Sequence, residues 1–219
     1  MIDAANITQK YKIIAAIHGI IDENGIMKGD CLVNSGGYAK KQRCRSWLLD
    51  KQKFREDYFI NPNNAVKIDE LLVNVPENDS LPLEQKLRFT YALPQSGEYR
   101  NFTVNLFSDL SRNPFIADER HSDIDFGFLQ EYQVYGNFTI PDGYTFESIP
   151  ENISLIMPDT SIVLNRFLQA EDNLLNVRIS VTFKRTYYEA AGYPDFSAFY
   201  RKLMDKLNEP VVLKKKSAP

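Results

Sequence analysis

The stretch "NPFIADERHSDIDFGF", Asn113 to Phe128, gathers acids, an arginine, a histidine and an Asp-x-Asp pair just behind a proline. Carboxylates crowded in this way suit a hard cation, and a calcium loop is the first chemistry to try. The run fails as one, because Phe128 stands where glycine is needed and Val134 where the bidentate glutamate belongs. Alternation instead places Ile124, Phe126 and Phe128 on one face and Asp123 and Asp125 on the other, as in a strand with one buried side. Arg120 is expected to pair with a neighbouring carboxylate and pin the turn. The stretch reads as scaffold.

The thiols come next. A cysteine nucleophile needs a depressed pKa, commonly from a helix N-terminus, and a histidine within hydrogen-bond reach. Cys44 lies nine residues past Ser35, the expected helix cap, too far along for the dipole to act. Cys31 falls in an expected strand. Only His18 and His121 could serve as partner bases, and His18 sits in an apolar strand, where a satisfied core histidine is the reading. A Cys31–Cys44 disulfide stays open if the protein is exported. The chain has no GxSxG, no Walker loop and no GxGxxG. "SGGYA" at Ser35 offers a helix start where an anion could sit, but turn and cap explain it. No catalytic, cofactor-binding or metal-binding residue is assigned, and no cofactor. Tyr132, Tyr135 and Tyr144 could stack on sugars, which keeps a glycan- or peptide-binding module as a rival reading.

These residues need elements to carry them. "KYKIIAAIHGII" and "IMKGDCLVN" read as two strands joined at "DENG", with Gly25 in the left-handed region. A helix follows from Gly36 to Tyr58, its stripe running through Cys44, Trp47, Leu48, Phe54 and Tyr58. "AVKIDELLVNV" reads as a strand. Beyond "PENDSLP" the period is two: Leu87, Phe89 and Tyr91; Tyr132, Val134, Phe138 and Ile140; Leu175, Val177, Ile179, Val181 and Phe183. "TSIVLNRFL" pairs with this last strand across "QAEDN". After Pro194, the residues Phe196, Phe199, Tyr200, Leu203 and Leu207 keep helical spacing, and "VVLKKK" adds a final edge strand. The expected fold is mainly β: an antiparallel β-sandwich at 79–219 with a C-terminal helix packed on it, behind a ββαβ piece at 1–78.

Bulk properties set outer limits. A chain of 219 residues can bury a substantial core. With 14 Phe and 12 Tyr against one Trp, composition leans toward strands. A net charge of −3 gives no broad footprint for nucleic acid, and Lys214 to Lys216 read as a solvated tail. No apolar run is long enough to span a membrane. The start, "MIDAANITQKYK", lacks the basic-then-apolar order of a signal peptide and begins as a piece of a longer protein would.

Four ordered blocks, "GIMKGDCLVNSGGYAKKQR", "NPFIADERHSDIDFG", "IPDGYTFESIPENISLIMPDTS" and "YPDFSAFYRKLMDKLNEPVVLKKK", resemble the region that follows the transglutaminase-like core of bacterial envelope proteins. The resemblance runs from about Ile17 to Lys216. It implies a β-rich domain of unknown function, a periplasmic or envelope location, and a transglutaminase-like core as partner in cis or in trans. It also implies that the catalytic Cys, His and Asp belong to that core, since no matching motif exists here to receive them. The implied role is a non-catalytic accessory module that packs on the core or presents substrate to it.

Overall fold

The period-two pattern forms a wide sheet because each strand has one apolar edge to bury. A computed structural model describes residues 10–60, 65–78 and 80–216; most of the opening segment read above for a signal peptide lies outside them. Strands β1 (Tyr11–Ile21) and β2 (Ile26–Gly36) make a hairpin. Gly25 turns it with φ +74°, a conformation glycine adopts without steric cost. Helices α1 (Gly37–Leu49) and α2 (Lys51–Phe59) lead to β3 (Val66–Asn74) and β4 (Leu83–Ala92). Short strands β5 (Gln95–Ser96), β6 (Tyr99–Phe102) and β7 (Ile124–Asp125) precede β8 (Gln130–Thr139), β9 (Tyr144–Ser148) and β10 (Ile153–Ile156). The chain closes with β11 (Ile162–Glu171), β12 (Leu174–Phe183), β13 (Tyr187–Tyr188), α3 (Tyr193–Leu207) and β14 (Val211–Lys215).

Eight strands form one sheet in the order β10-β11-β12-β8-β1-β2-β4-β3. It is antiparallel except where β1 runs parallel to β8, with Ala15 beside Val134. The loop at residue 78 falls between β3 and β4, and the sheet runs across it: β4 pairs with both β2 and β3. A second sheet, β5-β6-β14-β9, and helix α3 bury the inner face. Phe89, Phe138 and Phe183 point there at 1% exposure or less. Burying each such ring contributes about 1.5–3 kcal/mol. The outer face carries Ala16, His18, Ile20, Tyr135 and Phe167 in the open.

Four local expectations are corrected. Ser35 does not cap α1; it is fully buried at the end of β2 and accepts from the Gln85 side-chain amide at 2.9 Å. The helix starts instead at Gly37, φ +56°, where a Cβ would lie 2.1 Å from the Lys10 carbonyl oxygen. The long helix breaks at Asp50, whose extended backbone (φ −156°, ψ 105°) ends α1 while its side chain caps α2 at Lys53 N, so Leu48 ends 74% exposed. Third, β14 is an interior strand, hydrogen-bonded to β6 on one side and β9 on the other. Lys214 and Lys215 therefore belong to a strand, and Lys214 pairs with Glu98 at 3.5 Å. Last, His18 is exposed on the outer face, 3.9 Å from Asp30.

Candidate functional site: an aromatic cleft behind a buried arginine

Arg43 and Gln85 stand on the covered side of the sheet, where a lone guanidinium would be strongly disfavoured. Both are fully buried. The Gln85 amide nitrogen donates to Val33 O, Ser35 Oγ and Leu83 O, which turns its oxygen toward Arg43 Nη1. Arg43 Nη2 donates to Asp109, and Tyr11 donates its hydroxyl to the other Asp109 oxygen at 2.9 Å. The guanidinium carbon sits over two aromatic rings, 4.4 Å from the Tyr58 centroid and 5.6 Å from that of Phe59. An arginine with bidentate reach and a stacking face suits this position as lysine could not.

Asp109 belongs to the loop after β6, residues 103–112, which folds on itself. Asn105 donates to Leu110 O at 2.8 Å, and Ser108 donates to Asn105 Oδ1 while accepting from Leu110 N at 3.2 Å. Phe107 and Asp109 take φ +60° and +66°, a region costly for side chains other than glycine. The Arg43 and Tyr11 contacts and the packing of Phe107 on Phe89 hold them there.

Between this loop, α2 and β8 opens a cleft of about 430 Å³. Tyr11, Tyr58, Phe59, Phe107, Phe128 and Tyr132 supply its rings. Gln42, Asp57, Ser111, Gln130 and Asp109 are among its polar groups, and among the described residues no lysine, arginine or histidine lines it. Burial, reinforced by the Asp109 charge, pushes the Tyr11 phenol well above the ordinary tyrosine range, and burial does the same to Tyr132. Both hydroxyls stay neutral at physiological pH: donors, not bases. Aromatic walls with a few convergent polar groups are what a ligand site of this size requires.

The residues singled out from sequence lie elsewhere or bear on the site indirectly. Cys31 pairs with Ile17 in the β1–β2 ladder, one step from His18 on Asp30. Successive strand residues face opposite ways, so the thiol is buried inside and the imidazole is outside. Burial raises the Cys31 thiol far above its ordinary value. Cys44 is half-buried on α1, and neither cysteine is in a disulfide, which answers the question left open from sequence. In the Asp-x-Asp stretch, Asp123 accepts from the Tyr187 hydroxyl and from Ala190 N at 2.8 Å; these bonds hold its carboxyl below the usual range. Asp125 accepts from Gly127 N at 2.8 Å. Arg120 donates to Ser122 O and not to a carboxylate, which corrects that expectation. No cluster of His, Cys, Asp and Glu fit for a metal occurs among the described residues. No described helix is long and apolar enough to cross a membrane. Tyr132 and Tyr144 are buried, which leaves Tyr135 as the exposed tyrosine of the three.

Comparison with known proteins places this geometry in a family. No curated protein matches the chain. A crystal structure of a candidate protease from Parabacteroides distasonis overlaps 48% of this chain at 13% identity and a TM-score of 0.40. The overlap takes in 20% of that longer protein, so this chain spans about a fifth of its length. A family model described as a domain of unknown function with a solved structure matches residues 97–213, the segment that contains the cleft loop, β8 and α3. The chain belongs to this family, DUF3858.

Proposed function

We propose that the chain is a non-catalytic accessory module of a transglutaminase-like envelope protein, and that the cleft is where it engages the core or holds the core's substrate. The observation that carries this reading is the Arg43–Asp109–Tyr11 network. It fixes the polar wall of an aromatic cleft before any ligand arrives, which lowers the ordering cost of binding. The same network favours binding over turnover: Asp109 is already committed on both oxygens, and the neighbouring phenols are held neutral. The resemblance of the ordered blocks from Gly25 to Lys216 supports the partner, and an envelope location follows from that partner.

A stand-alone glycan-binding module is the second reading, favoured by one row across the outer face. In register across six strand pairs stand Phe167, Arg178, Tyr135, Ala16, Leu32, Lys86 and Leu72. Phe167 is 51% exposed, and the Arg178 guanidinium covers the Tyr135 ring at 5.8 Å. Calorimetry of the intact chain with a separately purified transglutaminase-like core separates the two. Association weakened by Phe107→Ala is the expected result. No association, together with oligosaccharide binding lost in Tyr135→Ala, would overturn the accessory reading.

A further inference from the structure

The sign of the cleft's charge narrows its ligand. Among the described residues its wall carries two carboxylates, Asp57 and Asp109, and no basic side chain. The nearby cation, Arg43, is sealed at 0% exposure and neutralised by Asp109. Asp57 differs from Asp109 in being open: its side chain is 45% exposed, and its partner Lys53, 3.1 Å away on the same helix, is 68% exposed. A solvent-screened pair of this kind is weak and readily exchanged. The rings complete the picture. Phe59 and Phe107 meet at 6.2 Å with planes 59° apart, and Tyr11 and Tyr132 at 6.0 Å and 46°. Tilted rings make corners whose faces attract a cation, as Tyr58 already does for Arg43 at 4.4 Å.

We propose that the cleft takes an alkylammonium group, the side chain of a lysine in an extended peptide, with Asp57 receiving the ammonium and the rings enclosing its methylene stem. The inference rests on the reading of the cleft as the recognition site and names what it recognises. Gln42 of α1 and Gln130 of β8 also line the cleft, and each carries both a donor and an acceptor, as a peptide bond requires. A neutral glycan would use the rings and amides but would gain nothing from the Asp57 carboxylate, whose pairing with the exposed Lys53 is weak and open to exchange. A lysine uses all three.

The test is a heteronuclear NMR titration of the intact labelled chain with Nα-acetyl-lysine methylamide, its Nε-acetylated form, and diacetylchitobiose as the glycan probe. The lysine probe is expected to give saturable shifts at Asp57, Tyr58, Phe107 and Asp109. Acetylating its ammonium should weaken binding about tenfold, as loss of a cation–π and carboxylate contact implies. Asp57→Asn, an exposed change that leaves the core untouched, should weaken the lysine probe alone. Equal binding of the two lysine forms, indifference to Asp57→Asn, or absence of shifts at these residues would overturn the inference. If chitobiose shifts the same residues and lysine does not, the ammonium assignment fails while the cleft stands as a recognition site.

Discussion

Arg43 and Asp109, 66 residues apart in sequence, meet as an ion pair in which the arginine is wholly buried and the aspartate side chain is 15% exposed at the cleft wall. One comes from the first helix and the other from the loop of the cleft, so the pair ties the site to the sheet. Removing the charge from one side strands the other in a low-dielectric interior. Asp109→Asn keeps the side-chain shape and tolerates the positive φ. It should lower unfolding stability by about 3 kcal/mol, read by urea denaturation. Combining it with Arg43→Met should recover most of that loss, because the uncompensated cation is then gone.

Helix α3 acts as a plug. Phe196 is fully buried, with ring contacts to Phe115 at 4.9 Å and Tyr188 at 4.7 Å. Phe196→Ala should cost about 3–5 kcal/mol in the same assay. Lys202→Ala, on the exposed face of the helix, should change stability by less than about 0.5 kcal/mol. Comparable losses from both would mean that the helix is not docked as described.

Alkali should unfold the protein through its tyrosines. Burial raises Tyr11 and Tyr132 well above the ordinary value and pushes Tyr200 up to about 12. A group raised in the folded state contributes stability that is complete below its unfolded pKa, near 10 for tyrosine, and is lost as pH climbs toward the folded value. Melting temperature should therefore hold to about pH 9 and fall steeply above about pH 10. Absorbance at the tyrosinate band should show a late class of phenols that titrates with unfolding.

Thiol reactivity should split by site. Cys44 is partly exposed and Cys31 sealed, so a disulfide-exchange reagent should modify one thiol quickly in the native protein and the second only on denaturation. Rapid modification of both would contradict the burial of β2's inner face.

How far the sequence discloses this structure depends on whether a signal is local. The β12 alternation from Leu175 to Phe183 and the α3 stripe from Phe196 to Leu207 each declare a buried face within a single element, and both are found there. Gly25 announces its turn because a tight turn between two apolar runs needs a residue that adopts a positive φ. The cleft has no comparable signal. Arg43 ends the run "YAKKQR", and nothing local separates it from the exposed Lys41. Asp109 is one acid in a loop, and its role depends on partners far away in sequence. Ser35 fits the cap pattern until Gln85, 50 residues on, claims its hydroxyl. His18 shows the limit of composition: its neighbours are apolar, yet its parity in β1 sends it outward.

Hydrogen–deuterium exchange on the intact chain, alone and with a transglutaminase-like core, tests the central claim most directly. Slowed exchange is expected only at the walls of the cleft: the end of α2, the loop at residues 103–112, and the start of β8. Unchanged exchange there, or protection confined to β11 and β12, which carry Phe167 and Arg178 on the outer face, would contradict it.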